Sequence, residues 1–448
     1  MLISALERVD VALLGAGREG QSAWRAIRAR FPHKPLTLYS EHPVDERFED
    51  RLEPGRDRLV SGPLSARRLA RHAVLVRSPG ISPYRPELRA ARAAGARITS
   101  ASNLWFAEHD TARTICITGT KGKSTTSALT AHLLAAAGCT VRLAGNIGTP
   151  LLDCANDSVD WWVIEVSSYQ LADLEARPTL AAVLNLSDEH LDWHGGRGAY
   201  HADKLRIIEL AAGRPVVANH ADALLRERLH GVPHVHWFGH PQGYHVRAHR
   251  LWRAEEELAE VPREHLPGDH NLVNLAAALS LVQLAGVDAV GTLPSLRKFR
   301  GLPHRMQRLG TREGVTFVND SMSTAPLATE AALRALAGER VTLLAGGLDR
   351  GVDWGACLQA LRELPPQAIV LLPDSGARLA TELRGAGIEP AAGVFLAADL
   401  ADAVRHALQV TPKGGTILLS PGAPSFPHFR DYAHRGRTFA ACCGFAQK

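Results

Sequence analysis

Thr118-Gly119-Thr120-Lys121-Gly122-Lys123-Ser124-Thr125 lies between a short β-branched run, Thr114-Ile115-Cys116-Ile117, and an Ala/Leu-rich stretch from Ser127 to Ala137. The first run predicts a buried strand. The second predicts a helix that Gly138 ends. Strand, glycine-rich turn, Lys-Ser and helix is the order that a phosphate cradle requires. Gly119 and Gly122 let backbone N–H groups approach phosphate oxygens, and the helix N-terminus adds a favourable dipole. Lys123 would reach the β- and γ-phosphates, and Ser124 or Thr125 would help to hold Mg²⁺. The spacing, G-x-x-G-K-S, is shorter than the standard phosphate loop. The bland alternative is a glycine turn with a solvated lysine, and the flanking pattern on both sides weighs against it.

Working outward, the 448-residue length predicts several domains, each with its own core. Net charge is +5, but the arginines are scattered, as at Arg25, Arg28 and Arg30, and form no nucleic-acid patch. The excess fits an anionic small substrate. Six cysteines without C-x-x-C spacing exclude a zinc ribbon and fit a reducing compartment. There is no basic-apolar-small leader and no long apolar run. A soluble, cytoplasmic, monomeric protein with no nucleic-acid or membrane partner is therefore expected.

Three blocks of alternating strands and helices follow from the pattern. The first opens with the strand Val9–Leu14, the turn Gly15-Ala16-Gly17-Arg18-Glu19-Gly20, a helix from Gln21 to Arg30, and a second strand ending at Ser40-Glu41. This is the dinucleotide fingerprint, and alone it would imply a nicotinamide enzyme. A later strand runs into Arg77-Ser78-Pro79-Gly80-Ile81, another turn at a strand carboxyl end, where open α/β sheets bind ligands. The second block starts at the phosphate loop. Its strands Trp161–Ile164 and Ala181–Leu184 end in Glu165-Val166-Ser167-Ser168 and Asn185-Leu186-Ser187-Asp188-Glu189-His190, candidate metal or base positions. The stretch from Val232 to His249 reads as a loop or small insertion. The third block carries strands at Val315–Val318, Val341–Leu344, Ala368–Leu372 and Thr416–Leu419, each ending in a small or polar turn.

In order along the chain stand the phosphate loop, Gly145-Asn146-Ile147-Gly148, Glu165 to Ser168, Asn185 to His190, Lys204 within Ala202-Asp203-Lys204-Leu205-Arg206, His270-Asn271, Pro303-His304-Arg305 and Asn319-Asp320-Ser321. This series resembles the muramyl (Mur) ligases, which add amino acids to the peptidoglycan precursor. The opening glycine fingerprint, Ser78 to Ile81, the closing Ser420-Pro421-Gly422 and His434-Arg435-Gly436 are similar to the branch that joins glutamate to UDP-N-acetylmuramoyl-L-alanine. The likeness spans nearly the whole chain. Folylpolyglutamate synthases share the central block but not the first.

The resemblance implies an α/β protein of three domains: a Rossmann-like UDP-binding domain over residues 1–110, a P-loop ATPase-type domain over 111–299, and a Rossmann-like glutamate-binding domain over 300–448. It implies an ATP-dependent ligase of cell-wall synthesis, and so of cell shape and division, working through an acyl phosphate. Two Mg²⁺ ions are implied, one at Ser124 and Glu165, the other at His190 and a carbamylated Lys204. Asn271, Arg305 and Asp320 match positions that grip the nucleotide beside the loop residues 119–125. Asn146 and Ser167 match contacts to the muramoyl-peptide part. Gly15, Gly17, Ser78, Pro79 and Gly80 would frame the UDP moiety, whose pyrophosphate the first-block helix would serve as well as that of NAD. A non-catalytic regulator of the same fold would have lost Lys123, Glu165 or Lys204, and all three are present.

The glutamate pocket departs from the family pattern. Members that add D-glutamate carry lysine after the Asn-Asp-Ser turn and again after the later Gly-Gly turn. Here those places hold Met322 and Arg350. Methionine cannot pair a carboxylate, whereas an arginine fork can, with a different reach. Thr324, Arg350, Ser425, Phe426 and Tyr432 stand where glutamate contacts are expected. Arg18-Glu19-Gly20, Ser78 to Tyr84 and Leu104-Trp105-Phe106 resemble the branch that adds L-glutamate. L-glutamate is therefore the expected substrate, with D-glutamate as the alternative. Closure of the last domain on the nucleotide is also expected.

Overall fold

The computed structural model describes residues 1–154, 158–258, 261, 266 and 268–445. One compact unit holds residues 1–261 and 269–297, and a second begins at Lys298. Both are α/β.

In the first unit, β1 (Val11–Leu14), β2 (Leu36–Ser40), β3 (Asp57–Ser61), β4 (Val74–Arg77) and β5 (Arg97–Ser100) form a parallel sheet in the order β3-β2-β1-β4-β5. All four residues of β1 are buried, as a strand covered on both faces requires. The strand order reverses direction at β1, so β1 and β4 flank the switch point, and the turns at Gly15 and Ser78 leave their carboxyl ends side by side.

A second parallel sheet comprises β6 (Thr114–Thr118), β7 (Val141–Gly145), β8 (Trp161–Glu165), β9 (Leu180–Val183), β10 (Val216–Asn219) and β11 (Val235–Phe238), ordered β11-β10-β9-β6-β8-β7. β6 lies between β9 and β8, so the phosphate loop leaves the sheet beside Asn185 and Glu165. The first two sheets belong to one unit because they share a core. Leu13 under β1, Trp105 on the helix Ala101–Glu108, and Trp162 and Ile164 on β8 lie in one buried apolar cluster. The rings of Trp105 and Trp162 meet edge to face at 4.7 Å.

The stretch from Val232 to His249, expected as a loop or small insertion, supplies β11 at the edge of the second sheet and β12 (Tyr244–Arg247). β12 pairs with β13 (Arg250–Arg253), and that with β14 (Glu256–Glu257), in a small antiparallel sheet. Within β11 only Phe238 is buried and His236 is exposed, so this edge strand carries no sustained alternation of buried and solvated positions. The strands β3, β5, β7 and β10 were also not expected from the sequence.

The second unit is built on β15 (Gln307–Arg312), β16 (Val315–Asn319), β17 (Val341–Gly346), β18 (Ala368–Leu372), β19 (Val394–Leu396) and β20 (Thr416–Leu419), ordered β15-β16-β20-β17-β18-β19. β15 is antiparallel to β16; the others run parallel. β17 and β18 are buried along their whole length. The expected strands of all three blocks are found within one or two residues. All six cysteines are free, and among the described residues no helix is long and apolar enough to cross a membrane.

Candidate active site

The phosphate loop is held from behind by the neighbouring strand end. The Asn185 carbonyl accepts from the Thr120 N–H (3.1 Å), its Oδ1 accepts from the Lys121 N–H (2.7 Å), and its Nδ2 donates to the Lys121 carbonyl (3.0 Å). Thr120 Oγ1 donates to the Ser187 carbonyl and lies 2.9 Å from the Tyr200 hydroxyl. Gly122 has φ 81°, and a Cβ there would come within 2.3 Å of Asn274 Oδ1, so only glycine fits. Gly122 caps the helix Lys123–Ala136 without a side-chain bond. The first turn of that helix, from Lys123, is the kind of helix N-terminus that attracts an anion. Lys123 Nζ folds back on the carbonyls of Gly119 and Thr120, at 2.9 Å each.

Beside the loop, Glu165 ends β8 at 1% exposure. Its Oε1 accepts from Asn146 Nδ2 at 2.5 Å, while its buried Oε2 has no hydrogen-bond partner. An unmatched buried carboxylate oxygen is costly unless a cation or donor completes it. Lys204, on the helix Arg197–Ala211, is 2% exposed and donates to the Gly119 carbonyl at 2.9 Å. Burial, reinforced by the charge of Lys123, lowers its ammonium from 10.5 to about 7. His190 sits in the left-handed region (φ 54°) just ahead of the short helix Leu191–His194. Its ring is half-exposed, near Tyr169 at 5.1 Å, and burial pushes its pKa below the usual value. Ser167 caps the turn after β8 in a capping box with Gln170. Among the described residues no three His, Cys, Asp or Glu side chains gather into a metal cage. A cation here would need oxygens from a bound phosphate or from a modified Lys204.

At the switch point of the first sheet, a Cβ on Gly15 would meet the Ser78 side chain at 3.0 Å, and Ser78 Oγ donates to the Gly15 carbonyl. Gly17 caps the helix Arg18–Arg30 in open space. Arg77, buried at the end of β4, donates to the carbonyls of Ser78, Pro79 and Ile81, and so shapes the turn that holds Gly80. The acid that would take a nicotinamide ribose, Glu41, is gripped by Arg85 through both oxygens, at 2.5 and 2.9 Å. That arginine holds the carboxyl below its ordinary range.

The second unit places Asp320 at the end of β16, 3% exposed. It accepts from the Met306 N–H and from the hydroxyls of Ser323 and Ser420. Burial raises this carboxyl to about 6. Thr324 and Arg350 are exposed, Met322 is half-buried, Ser425 is buried and Phe426 is 64% exposed. The Tyr432 carbonyl accepts from Ser321 Oγ. A cavity of about 330 Å³ opens at the ends of β17 and β18, lined among others by Gly346, Gly347, Ser425, His428 and Arg435. Arg435, 1% exposed, donates to Ser321 Oγ, the Ser321 carbonyl and the Ala423 carbonyl.

The model of the Mur ligase middle domain matches residues 117–282, and that of the Mur ligase glutamate ligase domain matches residues 304–423. The chain belongs to the Mur ligase family. A UDP-N-acetylmuramoyl-L-alanine--L-glutamate ligase of Xanthomonas campestris pv. campestris is 44% identical, over 99% of this chain and 97% of that protein. One of the same name from Micromonospora sp. is 40% identical, over 98% and 97%. The fold is also that of the UDP-N-acetylmuramate-alanine ligase of Thermotoga maritima, with a TM-score of 0.62 at 18% identity, covering 98% of this chain and 99% of that one.

Within this Mur ligase, the first unit brings Gly119 to Thr125, Glu165, Asn146 and Lys204 together around one strand end. Asn271 joins them through Asn274, whose Nδ2 donates to Asn271 Oδ1 and whose Oδ1 faces Gly122. Arg305, Asp320 and the glutamate-pocket candidates all lie in the other unit. Asn274 is 9% exposed and sits against the loop. Sequence reasoning passed over Asn185, Arg77 and Arg435 as site residues. Asn185 stands at a strand end next to the phosphate strand, which is the signal that could have found it. Buried arginines carry no such signal.

Proposed function

We propose that this Mur ligase is an ATP-dependent enzyme joining L-glutamate to UDP-N-acetylmuramoyl-L-alanine in peptidoglycan precursor synthesis. The observation that carries the reading is the set beside the phosphate loop: the N-terminus of the helix Lys123–Ala136, Lys123 itself, a buried Glu165 with an unmatched oxygen, and a buried Lys204 of lowered basicity. Relatives bearing the L-glutamate name are 40 to 44% identical over almost the full chain, which favours the L form over the D form. The division into UDP-binding residues 1–110, ATP-binding residues 111–299 and glutamate-binding residues 300–448 belongs to the same reading.

The loop amides and Lys123 stabilise charge on the transferring phosphoryl group, and the alanine carboxylate becomes an acyl phosphate. The amine of glutamate attacks that carbonyl, and phosphate leaves. Mg²⁺ would be held by Ser124 and Glu165, and a second ion by His190 and carbamylated Lys204. When bound, these ions neutralise phosphate charge. The unmatched Glu165 oxygen fits such a role. An amine with a pKa of about 7 is partly neutral near neutral pH, and only the neutral amine adds CO₂, forming the N–C bond with loss of one proton. Asn146 and Ser167 face the muramoyl-peptide part; Gly15, Gly17 and Ser78 to Gly80 frame UDP. Asn271, Arg305 and Asp320 grip the nucleotide. Thr324, Arg350, Ser425, Phe426 and Tyr432 receive glutamate.

The test is phosphate release from ATP and Mg²⁺ with UDP-N-acetylmuramoyl-L-alanine, run in parallel with L- and D-glutamate. Turnover with the L form alone is expected. Turnover with the D form alone would refute the stereochemical part, and silence with both would refute the donor or acceptor.

A further inference from the structure

Four side chains outside the phosphate loop form one hydrogen-bonded line across the first unit. The Tyr84 hydroxyl donates to Asp203 Oδ1. Asp203 Oδ2 lies 2.6 Å from His194 Nδ1, and His194 Nε2 lies 3.0 Å from Ser168 Oγ. Ser168, His194 and Asp203 are all buried. Serine, histidine and aspartate in this sequence of bonds are the constellation of nucleophilic hydrolases. Here Ser168 is 5% exposed at the start of a four-residue helix, too enclosed for an acyl group to reach. The line therefore acts on position, not as a nucleophile.

What it positions follows from the chain. Ser168 comes three residues after Glu165, His194 four residues after His190, and Asp203 immediately before Lys204. The three bonded residues sit on the three segments that carry Glu165, His190 and Lys204. Fixing His194 between Asp203 and Ser168 sets the axial place of the helix Arg197–Ala211 against the end of β8. Lys204 is thereby held at the Gly119 carbonyl. Tyr84 extends the line to the segment after the Ser78–Ile81 turn. Two parallel bonds join the same segments: Ser82 Oγ donates to the Trp193 carbonyl at 2.8 Å, and Trp193 Nε1 donates to the Gly80 carbonyl at 3.1 Å. Trp193 is stacked on Tyr169 at 4.2 Å.

We propose that His194 is a positioning residue for the Mg²⁺-nucleotide site, clamping the Lys204 helix to the Glu165 strand through Asp203 and Ser168, and that Tyr84 ties this clamp to the Ser78–Ile81 turn. The proposal rests on the reading of Glu165 and Lys204 given above, but not on which amino acid is added.

The test uses the full chain and its affinity for Mg²⁺·AMP-PNP by calorimetry, with the KM for UDP-N-acetylmuramoyl-L-alanine alongside. His194→Gln can keep the bond to Ser168 and loses that to Asp203; His194→Asn does the reverse. His194→Gln weakens Mg²⁺·AMP-PNP binding about tenfold, the effect of one buried charge-assisted bond, and His194→Asn about threefold, the effect of a neutral one, while the KM for the UDP substrate stays within about twofold. A merely structural role would lower the active fraction and leave the nucleotide affinity of the folded molecules unchanged. Tyr84→Phe, which removes one oxygen, weakens binding about threefold and adds nothing in the His194→Gln background, because both act on one line. Folded His194 variants with parental affinity overturn the clamp, and additive effects remove Tyr84 from it. Should the His194 variants not fold, Tyr84→Phe decides alone, and parental affinity overturns the proposal. A parent chain that binds Mg²⁺·AMP-PNP but turns over no glutamate refutes the proposed activity and leaves this test intact.

Discussion

Asp173→Ala is expected to destabilise the first unit far more than an ordinary salt-bridge deletion. Arg77 is 1% exposed, and Asp173 takes its Nε and Nη2 at 2.9 and 2.6 Å. Removing one partner of a buried pair leaves an uncompensated charge and costs about 3 to 5 kcal/mol. Arg77 keeps its carbonyl acceptors, including that of Tyr169. Asp173 retains 15% side-chain exposure. Both points place the cost near the low end, at about 3 kcal/mol, or about 6 °C in the unfolding midpoint of a unit this large. Urea unfolding followed by tryptophan emission measures it selectively. Trp24, Trp105, Trp161, Trp162, Trp193, Trp237 and Trp252 lie in the first unit and only Trp354 in the second. The control is Arg25→Ala, which deletes the more exposed Arg25–Asp153 pair and should cost at most about 1 kcal/mol. The sign of a second variant tests the cause: adding Arg77→Met to Asp173→Ala removes the stranded charge and should recover part of the loss. An Asp173→Ala cost no larger than the control, or a double variant less stable than the single one, would refute the reasoning. Because Arg77 also holds the Ser78–Ile81 turn, the KM for the UDP substrate should rise in Asp173→Ala.

Asn185→Ala removes the side-chain staple on Lys121 and should raise the KM for ATP about tenfold with little change in the KM for the UDP substrate, measured by steady-state kinetics. Lys204→Ala should abolish turnover, and short carboxylates should restore part of it in the phosphate-release assay; no rescue would count against the carbamate. The folded Asp320 carboxyl is raised from 3.8 to about 6, so the folded chain binds that proton more readily than the unfolded one. Stability of the second unit should therefore fall as pH rises from about 4 to 6, by on the order of 2 to 3 kcal/mol, and Asp320→Asn should flatten that slope in urea titrations read at Trp354.

What the sequence made legible was local. β6, β8, β17 and β18 are β-branched or apolar runs bounded by glycine, proline or a polar residue, and such strands are specified by their own residues. The phosphate loop is legible for the same reason: Gly119, Gly122 and Lys123 act within one turn. β11 is hidden because its four residues, of which only Phe238 is buried, show no sustained alternation. The pairs that assemble the site are of another kind. Arg77 meets Asp173 across 96 positions and Tyr84 meets Asp203 across 119, and neither an arginine at a strand end nor a tyrosine in the following loop differs in pattern from a surface residue. Only burial reveals them, and burial is a property of the assembled core.

That distinction bears on how the first sheet serves the reaction. A turn that merely frames a ligand could sit on a loosely attached domain. Here the turn after β4 is held through Arg77, Ser82, Tyr84 and Gly80 to Asp173, Trp193 and Asp203, residues that lie within eight positions of Glu165, four of His190 and one of Lys204. With Trp105 and Trp162 packed beneath, the first two sheets have few independent ways to move. A substrate fixed at that turn is held in a constant relation to the phosphate loop, which is the condition for orienting a carboxylate against a transferring phosphoryl group. A first sheet cut free of Asp173 should then lose rate before it loses affinity for the nucleotide.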